Sequence, residues 1–80
     1  MTLTRAVQRM PADVAKALSA RGVRGDYDAR PAYQRNDYLA WIGRSKRPET
    51  RARRLEQLLS ELEKGGIYMG MKHAGSKKPR

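Results

Sequence analysis

The segment RSKRPETRARRLEQLL, residues 44–59, decides the fold, because it contains a turn between two helices and the start of the longest helix. Pro48 suits the first turn of a helix, and a proline displaces the residue before it from helical geometry, so the turn is expected at Arg47. Six of the first eleven positions are nevertheless Lys or Arg, against one acid. Cations are unfavourable at the positive end of a helix dipole, so these residues either bind an anion or help to stabilise the fold.

Proline starts and the spacing of apolar residues predict three main helices along the chain. They are expected at residues 11–20, 31–45 and 48–64. Gly22 is a candidate left-handed cap for the first helix, and a pair of glycines after Lys64 ends the third. The sequence therefore predicts an all-α fold, a compact bundle of three main helices.

The segments around these helices are read from their turn residues and their charge. Residues 22–30 are expected to form a connector, with Tyr27 anchored in the core. Residues 67–71, IYMGM, are short and apolar and are expected to fold back over the bundle. The predicted divisions of the chain are a frayed segment at residues 1–10, a helical domain at residues 11–71 and a disordered basic tail at residues 72–80.

The chain has a strong excess of positive charge, with 18 Lys and Arg against 8 Asp and Glu over 80 residues, a net charge of +10. The tail carries four of the cations and no acid, so the remainder keeps 14 − 8 = +6. Such a chain is attracted to nucleic acid, to an anionic membrane or to an acidic protein. It has no cysteine, no signal-like apolar run and no apolar stretch near the ~20 residues that span a bilayer. We therefore expect a soluble, cytoplasmic protein without a membrane span.

The composition argues against catalysis and against metal or cofactor binding. The single histidine, His73, lies in the tail, so one chain cannot assemble a His-based triad or a two-His metal site. Asp26 and Asp28 are too few for a good calcium site and are read as turn residues. The glycine-rich residues 65–70 follow a helix, whereas phosphate-binding loops precede one. We expect no catalytic residue, no metal, no cofactor and no small-molecule substrate.

The arginines of the third helix do not share one surface when they are projected down its axis. Arg51 falls among the leucines, Arg54 flanks that face and Arg53 points to water. A buried guanidinium needs acceptors, so Arg51 is predicted to be a structural clamp that binds the end carbonyls of the second helix and an acid such as Asp37. The predicted basic surface, for a protein or polyanion partner, consists of Arg44, Lys46, Arg47, Arg53 and Arg54. For Arg54 a structural role is an equal alternative.

Aromatic residues of the second helix are predicted to fill the core, because the chain has no Phe. Trp41 and Tyr38 are expected there, and Trp41 should be largely buried against Leu55 or Leu58 of the third helix. The alternative is that these rings stack on bases beside the cations. A candidate polar groove comprises Tyr33, Arg35, Asn36, Asp37 and Tyr68. A structural hydrogen-bond network is the alternative interpretation of the same residues.

Residues 30–62 carry a recurring pattern: a helix that ends in aromatic-Leu-x-Trp-Ile, a Lys-Arg-Pro-Glu-Thr-Arg turn, and a helix that begins Arg-x-x-Arg. The matching residues are Tyr38, Leu39, Trp41, Ile42, Lys46, Arg47, Pro48, Glu49, Thr50, Arg51 and Arg54. In this pattern the chain resembles the YdeI/OmpD-associated, or bacteriocin-protection, family over residues 11–71. The resemblance implies an all-α domain, no established catalytic residues and a link to envelope stress or bacteriocin resistance. The short helix usual in the family between the first and second helices is expected to give way here to residues 21–25.

The function predicted from the sequence is that of a small non-enzymatic binding module. It acts on a protein or polyanion through the basic surface, in a setting of stress or bacteriocin protection. The alternative is a nucleic-acid-binding protein in which the second and third helices form a helix-turn-helix pair, although nothing in the sequence marks a recognition helix.

Overall fold

The computed structural model describes residues 9–72 of the chain, and of Lys72 only the backbone. The elements in chain order are α1 (Ala12–Arg21), α2 (Arg24–Asp28), α3 (Ala32–Gly43), α4 (Pro48–Lys64), β1 (Ile67–Tyr68) and β2 (Met71–Lys72). The predicted all-α bundle of three main helices is confirmed by α1, α3 and α4. The predictions of a frayed start and a disordered basic tail fall mainly on residues 1–8 and 73–80, which lie outside the described part.

The ends of the main helices follow from their proline and glycine residues. Pro11 and Pro31 directly precede α1 and α3, and Pro48 is the first residue of α4. Gly22 ends α1 in the left-handed conformation at φ 74°, which an L side chain adopts at a cost. The amide of Gly22 donates to the carbonyl of Ser19 at 3.1 Å, so the last turn of the helix is closed.

The connector predicted at residues 22–30 is wrong in its middle, because residues Arg24–Asp28 form the short helix α2. Tyr27 enters the core with only 4% of its surface exposed, as predicted, and this burial holds the single turn in place. Arg24 also donates to Asp28 across one helical turn at 3.2 Å. The expectation that a short helix gives way here to residues 21–25 is therefore wrong. Turn-forming residues in a short segment do not prevent a helix when an aromatic anchor fixes it.

The core lies where α4 packs against α1, α2 and α3. Its buried apolar residues are Val14, Leu18, Val23, Tyr27, Tyr38, Leu39, Ile42, Leu58, Leu59 and Leu62. Tyr38 is fully buried, as expected, but Trp41 is only partly buried and packs at the margin of the core. Trp41 therefore packs against the core as expected, although it is not fully enclosed. The guanidinium of Arg54 covers the outer face of the Trp41 ring, 5.1 Å from the ring centroid. This cation–π contact stabilises the ring without full burial.

Residues 67–71, expected to fold back over the bundle, belong to a small antiparallel hairpin. Ile67 pairs with Lys72, Tyr68 pairs with Met71, and β1 packs against α4. The two turn residues both have positive φ, 53° for Met69 and 85° for Gly70. This is the backbone of a two-residue hairpin turn whose twist matches that of the paired strands. The hairpin thus closes the end of the bundle next to the C-terminus of α4.

Candidate functional site: a basic surface beside a buried polar network

The carboxylate of Glu61 is the centre of a buried hydrogen-bond network between α4 and the hairpin. Glu61 is only 6% exposed. It accepts the amides of Met69 at 3.0 Å and Gly70 at 2.8 Å, the side-chain amide of Gln57 at 3.0 Å, and the hydroxyl of Tyr38. Four donors compensate for the water that the carboxylate loses on burial. Burial and the bond to Glu61 raise the pKa of Tyr38, so its hydroxyl remains a proton donor.

Arg30 is the buried cation of the same network and has 5% of its surface exposed. It donates to the backbone carbonyl of Ile67 at 2.7 Å, to that of Glu61 at 3.2 Å, and to the side-chain oxygen of Gln34 at 3.3 Å. The carbonyl of Glu61 belongs to the last turn of α4, where the helix dipole favours a positive charge. Gln34 in turn donates to the hydroxyl of Tyr33 at 3.1 Å. A single guanidinium therefore connects α3, the end of α4 and the hairpin.

The residues of the candidate polar groove lie in two separate places. Tyr33 and Tyr68 pack edge to face with ring centroids 6.0 Å apart, and the hydroxyl of Tyr68 donates to Asp37. Arg35 and Asn36 line a separate cleft beside α2, to whose lining neither tyrosine contributes. The prediction of one groove is therefore wrong, because successive residues of α3 face opposite neighbours. The tyrosines and Asp37 form a structural network, which was the alternative interpretation.

Arg51 binds an acid and a carbonyl from two different helices. Its guanidinium donates to both carboxylate oxygens of Asp13 on α1, each at 3.0 Å, and to the carbonyl of Ile42 near the end of α3 at 3.4 Å. The prediction that Asp37 is this acid is wrong. Arg51 lies beside α1, which carries Asp13, and not beside the side of α3 that carries Asp37. The hydrogen bond from Arg51 lowers the pKa of Asp13. The structural-clamp role of Arg51 stays a prediction that stability measurements can test.

We expect Arg51→Ala to lower the free energy of unfolding by about 1 kcal/mol, since the bidentate pair with Asp13 is well formed but about half exposed on the acid side. Arg53→Ala, the matched control on the exposed face, should cost less than about 0.5 kcal/mol. The lowered pKa of Asp13, usually 3.8, makes the contribution of the pair present above about pH 4 and lost as the pH falls through the lowered value. Urea melts at neutral and acidic pH measure both effects. Equal stability of the two variants at neutral pH would contradict the clamp.

Most cations of the basic surface are exposed and unpaired. Arg44, Lys46, Arg47 and Arg53 are exposed, and within the described residues none of the four forms an ion pair. Arg54 differs from them, since it is partly buried, donates to the carbonyl of Trp41 at 2.6 Å and lies over the ring of that residue. These contacts favour the structural alternative for Arg54, and its role in binding a partner stays a prediction.

The acids of α4 do not neutralise this patch, because two of the three exposed ones face another helix. Arg21 of α1 donates to Glu56 at 2.5 Å and 3.1 Å and to Glu63 at 3.1 Å and 3.3 Å. Glu49 belongs to the first turn of α4, where the helix dipole favours it. The turn between α3 and α4 therefore carries several cations with one nearby acid.

The described residues show no arrangement for metal chemistry or membrane crossing. Between residues 9 and 72, no group of three or more His, Cys, Asp or Glu side chains is placed to hold a metal ion. None of the helices in this part is long and apolar enough to cross a bilayer.

A model of the family described as "Bacteriocin-protection, YdeI or OmpD-Associated" matches residues 8–65, well over half of the chain. The chain belongs to the YdeI/OmpD-associated family. The resemblance seen in the sequence is thereby confirmed. No curated protein and no solved structure matches the chain.

The match to the YdeI/OmpD-associated family covers all four helices and stops before the hairpin. Glu61 and Arg30 lie inside the matched region, whereas the amides of Met69 and Gly70 lie beyond it. Sequence reasoning missed Arg30, Gln34 and Glu61 as buried residues. The only signal for Glu61 was its position beside the leucine stripe of α4, next to Leu62 and three residues after Leu58.

Proposed function

We propose that this chain is a non-enzymatic binding module that engages an acidic surface of a partner protein, in a setting of bacteriocin or envelope-stress protection. The observation that carries the proposal is the group of exposed, unpaired cations at the turn between α3 and α4, next to the partly buried Trp41. The family description names association with a protein and protection against a bacteriocin, which favours a protein partner over other polyanions.

The neighbourhood of Trp41 has the features of an interface anchor. Trp and Arg are the residues that most often dominate binding energy when they lie at the centre of a contact. Arg54 holds the indole ring from one side and bonds to the backbone of Trp41, so the ring is already ordered before a partner arrives. An ordered anchor loses less conformational entropy on binding. The exposed cations around it would guide an acidic partner and set the salt dependence of association.

The test compares two triple variants that remove the same charge from different places. Arg44→Gln/Lys46→Gln/Arg47→Gln removes part of the basic surface, and Arg9→Gln/Lys16→Gln/Lys64→Gln removes three exposed cations elsewhere. Both have a net charge of 10 − 3 = +7. We expect the first variant to lose tenfold or more of the protein that co-purifies with the wild type from its native cells, since interface charges are sensitive to removal. The second should retain it.

Two outcomes of this experiment would contradict the proposal. Equal losses from both triple variants would show generic attraction to a cationic chain. Loss of the co-purifying material after nuclease treatment would favour nucleic acid, and in that case log K should fall steeply with log salt, with a slope near −0.9 for each phosphate contacted. A wild type that retains its partner after nuclease treatment supports protein recognition.

A further inference from the structure

The two large apolar side chains that are exposed among the described residues lie together at the hairpin end of the molecule. Tyr33 is 46% exposed and Met71 is 66% exposed. Tyr68 connects them, because its ring packs edge to face against Tyr33 and Met71 is its partner across the two strands. Residues directly opposite each other in an antiparallel pair project from the same face of the sheet. Tyr33, Tyr68 and Met71 therefore form one apolar cluster.

The apolar cluster and the basic surface lie on the same side of α3. Three residues further along the helix fall within about 80° of Tyr33, at about 3.6 residues per turn: Asp37, Trp41 and Arg44. None of these residues is fully buried. The rise of about 1.5 Å per residue places Arg44 about 16 Å from Tyr33 along the helix axis. One continuous surface therefore runs from the apolar cluster, past Trp41, to the cations of the turn between α3 and α4.

The charges on this surface have a definite order. The turn end is cationic, because Arg44, Lys46 and Arg47 are exposed and form no ion pair with the described acids. Asp37 lies between that end and the apolar cluster, and its carboxylate accepts the hydroxyl of Tyr68. An acid of a partner is attracted at the turn and repelled beside Asp37, since the two sides of an interface carry complementary charge. A matching partner segment thus has acids at one end and uncharged, apolar residues at the other.

Neither the ends of this chain nor a second copy has this chemistry. Residues 1–8 and 73–80, which lie outside the described part, contain no acid, so neither segment matches the cationic end. A second copy brings a net charge of +10 to a surface that is itself cationic. Exposed apolar patches mark interaction sites, and Tyr, Trp and Met are enriched at the centres of protein interfaces. The occupant that fits is a different protein.

We propose that the apolar cluster is the second half of the partner surface, and that it receives apolar side chains of the same partner segment whose acids bind at the turn. The inference rests on the proposed function and adds the chemistry of the partner. The two contacts lie about 16 Å apart, which a helical segment spans in about eleven residues and an extended one in about five. Trp41, held by Arg54, lies between them and faces the middle of the segment.

Photo-crosslinking from both ends of the surface tests whether one partner segment covers it. The full chain is prepared with p-benzoylphenylalanine in place of Tyr33, of Arg44 or, as a control, of the exposed Ser19 on α1. Each protein is irradiated in a nuclease-treated extract of its native cells, and the crosslinked peptides are identified by mass spectrometry. We expect positions 33 and 44 to link to one segment of one protein, at sites about five to eleven residues apart. Asp or Glu should lie beside the link from position 44 and apolar residues beside the link from position 33, and position 19 should not link to this protein.

Two substitutions of Met71 measure what the apolar cluster contributes. Met71→Ser removes apolar surface and should lower the yield of the link from position 44 about fivefold or more, as the loss of an interface anchor does. Met71→Leu keeps an apolar side chain and should retain the yield. Because Met71 is exposed, both variants should melt at the temperature of the wild type.

The outcomes separate this inference from the proposed function. A link from position 44 without one from position 33, links to two different proteins, or a full yield with Met71→Ser would overturn the inference and leave the acidic partner in place. A link from position 33 to a second copy of this chain would also overturn it. The absence of any protein link from either position would overturn both.

Discussion

Glu61→Ala is expected to lower the free energy of unfolding by about 3–5 kcal/mol, the largest effect of any single substitution in the buried network. The change leaves the hydroxyl of Tyr38 and the amide of Gly70 without this acceptor, and the amide of Met69 keeps only the hydroxyl of Tyr38, at 3.1 Å. Each buried donor left unpaired costs about 1–3 kcal/mol. Total stability is only about 5–15 kcal/mol for natural domains, and small ones lie near the lower end, so the variant should be substantially unfolded at 25 °C. Urea melts followed by far-UV circular dichroism measure the loss.

Glu63→Ala is the matched control for that experiment, because it removes another acid from the same helix two positions on. Glu63 is exposed, and its partner Arg21 keeps a second carboxylate in Glu56. We expect a cost below about 1 kcal/mol, in the range of exposed ion pairs. If Glu61→Ala and Glu63→Ala melt at the same urea concentration, the carboxylate of Glu61 does not hold the hairpin.

Arg30→Met should cost about 2–4 kcal/mol and is the second large effect. Methionine retains the apolar stem, so the measurement isolates the loss of the guanidinium. The carbonyl of Ile67 and the side-chain oxygen of Gln34 lose the donor that Arg30 supplies, in a place that water does not reach freely. The carbonyl of Glu61 loses the same donor and keeps the amide of Gly65, at 2.8 Å. The unfolding midpoint in urea, read at the same pH for wild type and variant, gives the difference directly.

Two further substitutions show whether charge or geometry matters at this position. Arg30→Lys keeps the charge but cannot direct several N–H groups to separate acceptors, so it should recover less than half of the lost stability. Arg53→Met makes the same change at an exposed position and should fall within about 0.5 kcal/mol of the wild type. A full recovery by lysine would show that the positive charge alone is needed at the end of α4.

The main helices could be predicted because their signals are local. Pro11, Pro31 and Pro48 mark the starts, Gly22 and Gly65 mark two of the ends, and the leucine spacing identifies the inner face of α4. Helix α2 could not be predicted in the same way. Its five residues are too few for a periodic pattern, and its glycine and aspartates are typical of turns. What forms it is the burial of Tyr27 against the other helices, which is a tertiary effect.

The pairing of side chains could be predicted only in part. The sequence indicated that Arg51 needs acceptors and that the end of α3 would supply one, and the carbonyl of Ile42 does so. It could not choose between Asp13 and Asp37, since that choice depends on which helix α4 packs against. Buried charges such as Arg30 and Glu61 look like surface residues in a sequence, because nothing local distinguishes a solvated polar residue from one that is buried and fully bonded.

The contacts of the hairpin also indicate an order of assembly. Glu61 and Gly70 are only nine residues apart, so the end of α4 and the hairpin can come together by closing one short loop, an event of about 10–100 ns in flexible chains. The contacts from Arg30 to Ile67 and from Tyr68 to Asp37 span 37 and 31 residues and bear a larger entropic cost of closure. We therefore expect α4 and the hairpin to form an early local unit. In that unit the carbonyl of Ile67 and the hydroxyl of Tyr68 are already in place. Asp37 of α3, and Arg30 in the segment before α3, then bind to them.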